Sequence, residues 1–280
     1  MPSTDGNFAE ARVKSRGSSK CMESENAGLA RVSSNRQGVF EKLNQKQCEE
    51  ILNKLRSLSD PEAVKGMASF GINPKNIYGV SIPNLRLIAK QIGKDHELAQ
   101  QLWASGMHEA RILASMIDEL ELLTEQQLDK WAQDLDSWDV CDQCCNNLFS
   151  RATFAYQKAV EWSQKEQEFI KRAGFVLMAT LAVHDREAGN EEFLRFLPII
   201  EASAIDERNF VKKAVNWALR QIGKRNSSLN KASLKTAKDI KKMNSRSAKW
   251  VASDAIRELT SGAVQKRLRR KRNCAGRSGT

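Results

Sequence analysis

From Phe40 onward, Leu43, Cys48, Ile51, Leu52, Leu55 and Leu58 recur at three-and-four spacing, the pattern of a helix with one apolar stripe. Asp60-Pro61 predicts the start of a second, short helix, because Asp accepts from free N–H groups at a helix start and Pro suits the first turn. The stretch from Gly71-Ile72-Asn73-Pro74 to Ser81-Ile82-Pro83 collects turn residues and predicts a loop. Beyond it the same periodicity predicts helices over 83–92, 95–104, 108–119, 124–134, 137–148, 152–163, 166–184, 190–202, 207–224, 228–242 and 246–258. Strand alternation is nearly absent.

Helices of this length joined by short polar links fit an all-α architecture, a HEAT-like or armadillo-type α-solenoid of antiparallel helix pairs with a concave basic cleft. The repeat would run to about 35 to 45 residues. A closed helical bundle is the alternative. Residues 1–38, rich in Ser, Asn, Gly, Arg and Lys without apolar periodicity, cannot bury enough surface to offset the entropy of ordering and are expected to form a disordered leader. The helical repeat domain is expected over 39–260, and a basic C-terminal tail over 261–280.

Charge narrows the class of partner. Forty-five Lys and Arg against 34 Asp and Glu leave a net +11, which favours a polyanion such as nucleic acid over an acidic small substrate. Lys266, Arg267, Arg269, Arg270, Lys271, Arg272 and Arg277 concentrate part of that excess at the C-terminus, as a nuclear localisation signal in a eukaryote or as a DNA-gripping arm. No apolar run approaches the roughly 18 residues of a membrane-spanning helix. No secretory signal precedes the six cysteines, so an intracellular protein is expected, nuclear if eukaryotic and otherwise cytoplasmic. Cys141, Cys144 and Cys145 imitate a zinc cluster, but no second Cys-x-x-Cys or His pair completes four ligands, and they read as small residues of a helix interior. No metal is expected.

Candidate chemistry centres on Ser137-Trp138-Asp139-Val140-Cys141-Asp142. Trp138 and Asp142 stand at i and i+4, so an indole and a carboxylate share one helix face. An anion kept on a basic surface suggests a cationic ligand or transition state. Arg172 follows Asp142 by 30 positions and Trp217 follows Arg172 by 45, which suits side chains recurring at repeat spacing on one surface. Lys213, Trp217, Arg220 and Lys224 fall at spacings of 4, 3 and 4, a stripe of cations around an indole that suits a phosphate backbone. Each has a plainer reading: both Trp as core, Asp142 as a solvated acid, Arg172 paired with Glu168 four residues back.

Four segments carry a resemblance: Tyr78-Gly79-Val80-Ser81-Ile82-Pro83 leading into Leu85-Arg86, the run at 137–142, Lys171-Arg172-Ala173, and Phe210-Val211-Lys212-Lys213-Ala214-Val215-Asn216-Trp217-Ala218-Leu219-Arg220 followed by Gln221-Ile222-Gly223-Lys224. From about Leu52 to Leu259 the chain resembles the DNA alkylation repair family, the HEAT-like alkylpurine DNA glycosylases. In that family a Trp and an Asp one turn apart, an Arg on a later helix and a Trp in a lysine-rich helix line the cleft, and they fall on Trp138, Asp142, Arg172 and Trp217. Ser137 stands where some relatives have a first Trp of a paired Trp-Trp.

The resemblance implies an enzyme that hydrolyses the N-glycosidic bond of N3- or N7-alkylated purines in double-stranded DNA, with no metal and no cofactor. It would act as a monomer whose cleft wraps the duplex without a deep base pocket. Asp142 would stabilise the sugar cation and position water, the Trp faces would attract the cationic nucleoside, and Arg172 would hold a backbone phosphate, with Lys213, Arg220 and Lys224 on the DNA. A noncatalytic nucleic-acid-binding solenoid and a protein-binding scaffold are the two other readings.

Overall fold

The computed structural model describes residues 45–275, with side chains as far as Arg270; the expected leader, Phe40 and Leu43 lie outside the described residues. Two compact units divide the chain at Gln47/Cys48. Of the first, 45–47 is helical. The second begins with helical residues 48–57 (α1) and continues with α2 (Pro61–Ser69), α3 (Ile82–Ile92), α4 (His96–Ala104), α5 (His108–Ile117), α6 (Glu125–Gln133), α7 (Trp138–Asn147), α8 (Ala155–Ser163) and α9 (Glu168–His184). It ends with α10 (Asn190–Leu194), α11 (Phe196–Ser203), α12 (Asn209–Gly223), α13 (Ser227–Lys241), α14 (Arg246–Leu259) and α15 (Gly262–Ala275).

Polar side chains set the helix starts. Asp60 accepts from the N–H groups of Glu62 and Ala63, with Pro61 in the first turn, and Ser81, Asp95, Thr124, Asn226 and Ser245 cap five further helices. Two expectations change. The helix expected over 190–202 breaks at Arg195 into α10 and α11. Pro198 explains the break: lacking an N–H, it is tolerated only near a helix start, and the new start places it in the first turn of α11. The segment expected as a basic tail is helical from Gly262, with Val264 and Leu268 buried.

Successive contacts of α3 with α5, α5 with α7, α7 with α9, α9 with α12 and α12 with α14 make one row of helices. The intervening α4, α8, α11 and α13 pack against that row. This is a HEAT-like helical repeat, each unit burying its apolar face only by stacking on its neighbours. Hydrogen bonds from Trp103 to Asp134, Asn147 to Ser115, Trp162 to Asp129, Tyr156 to Asp185 and Asn216 to the Val251 carbonyl join residues 29 to 35 apart, one repeat. Trp103 and Trp131 stack with centroids 4.1 Å apart inside the core.

Two polar contacts at the start of α5 join it to its neighbours. Glu109, 1% exposed, accepts the backbone N–H groups of Tyr78 (3.0 Å), Gly79 (2.6 Å) and Val80 (3.2 Å). The Tyr78-Gly79-Val80 turn is therefore a cradle for a buried carboxylate. Gly79 has φ +80, and a Cβ there would lie 2.5 Å from the Asp60 carbonyl oxygen, so only glycine fits. Beside it, buried His108 on α5 contacts Asp139 on α7 (Nε2···Oδ2 2.9 Å), and the Ser137 hydroxyl donates to the other Asp139 oxygen at 2.6 Å. Burial opposes the imidazolium, but the Asp139 hydrogen bond and charge outweigh it and raise the His108 pKa. Burial likewise opposes the Asp139 carboxylate, and the contacts from His108 and Ser137 outweigh it and lower that pKa.

Two consequences are measurable. Gly174 lets α9 approach α8 so closely that a Cβ would lie 2.4 Å from the Ser163 nitrogen; Gly174→Ala is expected to lower stability by about 2 kcal/mol or more in urea unfolding. Because the folded pKa of His108 lies above its ordinary 6.5, the stabilisation from the pair is complete below that value and is lost as pH rises through the folded pKa. The low folded pKa of Asp139 keeps its share in place until pH falls below its ordinary 3.8 and through the folded value. The wild-type urea midpoint should therefore fall as pH rises above the ordinary 6.5 and through the folded pKa, and His108→Gln should flatten that fall.

Candidate active site

Ser137 starts α7, and the contacts of Asp139 to Ser137 and His108 fix the first turn. Trp138 and Asp142 then project from one face, while Val140, Cys141, Cys144 and Cys145 are buried. The three thiols are helix interior: Cys141 Sγ lies 3.7 Å from the Phe169 carbonyl and Cys145 Sγ 3.7 Å from that of Ala173, both on α9. Burial pushes the Cys144 and Cys145 thiols up, which keeps them protonated. Among the described residues no group of three or more His, Cys, Asp or Glu could hold a metal ion.

Arg172, near the start of α9, meets Asp142 in a two-pronged contact: Nε donates to Oδ1 at 2.9 Å and Nη2 to Oδ2 at 2.8 Å. Its Nη1 donates to the Phe210 carbonyl at the start of α12, 2.7 Å away. The guanidinium carbon lies 5.9 Å from the centroid of the Trp138 ring. The Trp138 indole N–H in turn donates to the Phe70 carbonyl at 3.2 Å. One guanidinium thus joins three consecutive helices of the row, and the indole reaches back to the end of α2.

Burial sets the balance of charge. The side chains retain 7% exposure for Arg172 and 20% for Asp142, so Asp142 is the more exposed member of a largely buried pair. Burial raises the Asp142 carboxyl, and the charge and hydrogen bonds of Arg172 pull it only part of the way back, so its pKa stays above the ordinary value. Arg172 loses from burial but gains more from Asp142, so its pKa rises. A guanidinium does not titrate in proteins, and two N–H groups aimed at two oxygens match an ionised carboxylate. The pair is Arg⁺–Asp⁻.

Of the expected site residues, Trp138, Asp142 and Arg172 come together. The partner of Arg172 is Asp142, not the local Glu168, and the expected phosphate-holding guanidinium is instead buried against a carboxylate and a carbonyl. Trp217 lies half-buried on α12, against the core; no hydrogen bond or ring contact among the described residues joins it to the other three. Lys213 is exposed. Arg220 and Lys224, on and at the end of α12, are ion-paired to acids of α14: Arg220 contacts Glu258 and lies 3.6 Å from Asp254, and Lys224 contacts Glu258 at 2.7 Å.

Sequence reading singles out neither Phe70 nor Phe169, and includes Phe210 only as part of a matching segment. Phe70, 72% exposed, ends α2, and its carbonyl accepts the Trp138 indole N–H. Phe169 and Phe210 pack with centroids 5.7 Å apart. Gly71 permits the approach of Phe210, since a Cβ there would lie 2.9 Å from the ring. The signal available was Phe70-Gly71 at the end of a short helix, which reads only as a turn.

No curated protein matches the chain. One solved structure with the same fold is described as a new family of proteins related to the HEAT-like repeat DNA glycosylases with affinity for branched DNA structures. It is 20% identical, covers 75% of this chain and 94% of its own, and superposes with a TM-score of 0.63. Residues 51–259 match the family described as DNA alkylation repair enzyme. With the match spanning most of the chain and containing α7, α9 and α12 whole, this protein belongs to the DNA alkylation repair enzyme family.

Proposed function

We propose that this protein is a DNA glycosylase that releases cationic N3- or N7-alkylated purines from double-stranded DNA. The observation that carries the reading is a partly exposed aspartate, Asp142, whose carboxylate is held by two guanidinium N–H groups beside the Trp138 indole. Alkylation at N3 or N7 gives the base a positive charge, so it leaves neutral and needs no general acid. The deoxyribose then takes up oxocarbenium character. A fixed carboxylate stabilises that cation and positions water for attack at C1′, as in glycoside hydrolysis. The Trp138 and Trp217 faces attract the cationic nucleoside.

Arg172 acts through Asp142. It presets both carboxylate oxygens before DNA arrives, a positioning role in place of the expected phosphate contact. The row face of α7, α9 and α12 serves as the basic cleft for the duplex, with Lys213 as its phosphate contact and Phe70 at its edge. No metal or cofactor takes part, the protein acts as a monomer, and it works inside the cell, in the nucleus if the source is a eukaryote. No helix among the described residues is long and apolar enough to cross a membrane. The affinity for branched DNA described for the structural neighbour supports the DNA-binding part of this reading.

Incubation of the purified protein with methylated duplex DNA, followed by chromatography of the freed bases, tests the activity. The wild type should release N3-methyladenine or N7-methylguanine, and Asp142→Asn should lower the rate by about a hundredfold or more while duplex binding persists. Wild-type release by that variant would remove the carboxylate from the mechanism. Lys213→Ala should reduce the slope of log affinity against log salt by about 0.9. Arg220→Ala should change the slope less, because Glu258 and Asp254 already compensate its charge; equal changes would mean that those pairs open on DNA.

A further inference from the structure

The surface pattern of α12 recurs one repeat later. Lys213, Trp217, Arg220 and Lys224 are each followed at 33 residues by Arg246, Trp250, Ser253 and Arg257 on or beside α14, the next helix of the row. Both helices bury the opposite face, in α14 through Ala248, Val251, Ala252 and Ala255. Trp250 nevertheless stays 43% exposed on a helix that has a core available to it.

The ring sits among cations. Lys212 Nζ, from α12, lies 5.7 Å from its centroid. Arg246 is one turn before it on the same face and Lys249 is adjacent, both exposed and neither in an ion pair among the described residues. None of the described acids nearby pairs with Arg246 or Lys249. Glu207 accepts from the Ser245 hydroxyl (3.2 Å) and the Ser247 N–H (3.3 Å). Asp254 pairs with Arg220 and Arg257, and Glu258 with Arg220 and Lys224. The first half of α14 thus places three cations, Lys212, Arg246 and Lys249, around an indole against one carboxylate, Glu207, that is hydrogen-bonded to the start of the helix, whereas the cations of the second half are ion-paired. An isolated ring ringed by cations is a poor apolar patch for a protein partner, and it matches the stacking-plus-phosphate chemistry of a nucleic-acid strand.

We propose that Trp250, with Lys212, Arg246 and Lys249, is a second DNA contact, the indole packing on a sugar or base edge and the cations taking the phosphates on either side. The inference rests on the DNA-binding reading above and extends it along the strand. Packed helices stand about 8 to 10 Å apart and a strand rises about 3.4 Å per nucleotide, so the contact falls about three nucleotides beyond that of α12.

The test uses the full chain, an unmodified labelled duplex, fluorescence anisotropy over a salt series and hydroxyl-radical footprinting. Trp250→Ala should weaken binding by about fivefold or more, with Trp250→Phe keeping most of the affinity. The double variant Arg246→Ala/Lys249→Ala should reduce the salt slope by about 1.8. In both cases the protected stretch should shorten at one end by about three nucleotides while thermal unfolding is unchanged. Wild-type affinity, slope and footprint in these variants would overturn the inference and leave the DNA-binding reading standing. Absence of salt-dependent duplex binding by the wild type would overturn both.

Discussion

The bidentate contact between Arg172 and Asp142 organises the candidate site. Each charge is buried enough that removing its partner would strand the other in a poor solvent, a cost of several kcal/mol. The same guanidinium caps the Phe210 carbonyl, so α7, α9 and α12 share one hub. Its height over the Trp138 ring and the hold of Phe70 on the indole N–H extend that hub to the edge of the fold. The direction in which the carboxylate points is therefore set by three helices of the row together.

This arrangement has an electrostatic consequence. A paired carboxylate attracts a developing sugar cation less than a lone one would, but it needs no reorganisation when the cation forms. Exclusion of water by Trp138 and the DNA would raise the effective strength of the remaining field. Contacts elsewhere in the row position the same helix. Glu109 locks the Tyr78-Gly79-Val80 turn, and the His108–Asp139 contact, with Ser137, sets the first turn of α7 from which Trp138 and Asp142 project.

Local chemistry was readable from the sequence, and partners one repeat away were not. Apolar periodicity located α3 to α9 within a few residues, and Asp60-Pro61 marked the start of α2, because spacing and caps are properties of neighbouring residues. The shared face of Trp138 and Asp142 followed from i, i+4 geometry alone. The partner of Arg172 could not follow, since Glu168 one turn away and Asp142 thirty residues away are equally acidic and only the stacking of α7 on α9 chooses. Arg220 and Lys224 looked free for the same reason: Asp254 and Glu258 reach them only when α14 packs on α12. Gly262–Ala275 was legible as charge, and its buried Val264 and Leu268 were outweighed by the basic run around them.

A double-mutant cycle on base release tests most directly whether the hub works as one device. Single-turnover release of N7-methylguanine would be followed at saturating protein for the wild type, Asp142→Asn, Arg172→Ala and the double variant. Groups that act as a unit do not lose their contributions twice. The double variant should therefore be no slower than Asp142→Asn alone. Losses that multiply would contradict the account, because they would mean that Arg172 serves the DNA independently of the carboxylate it holds.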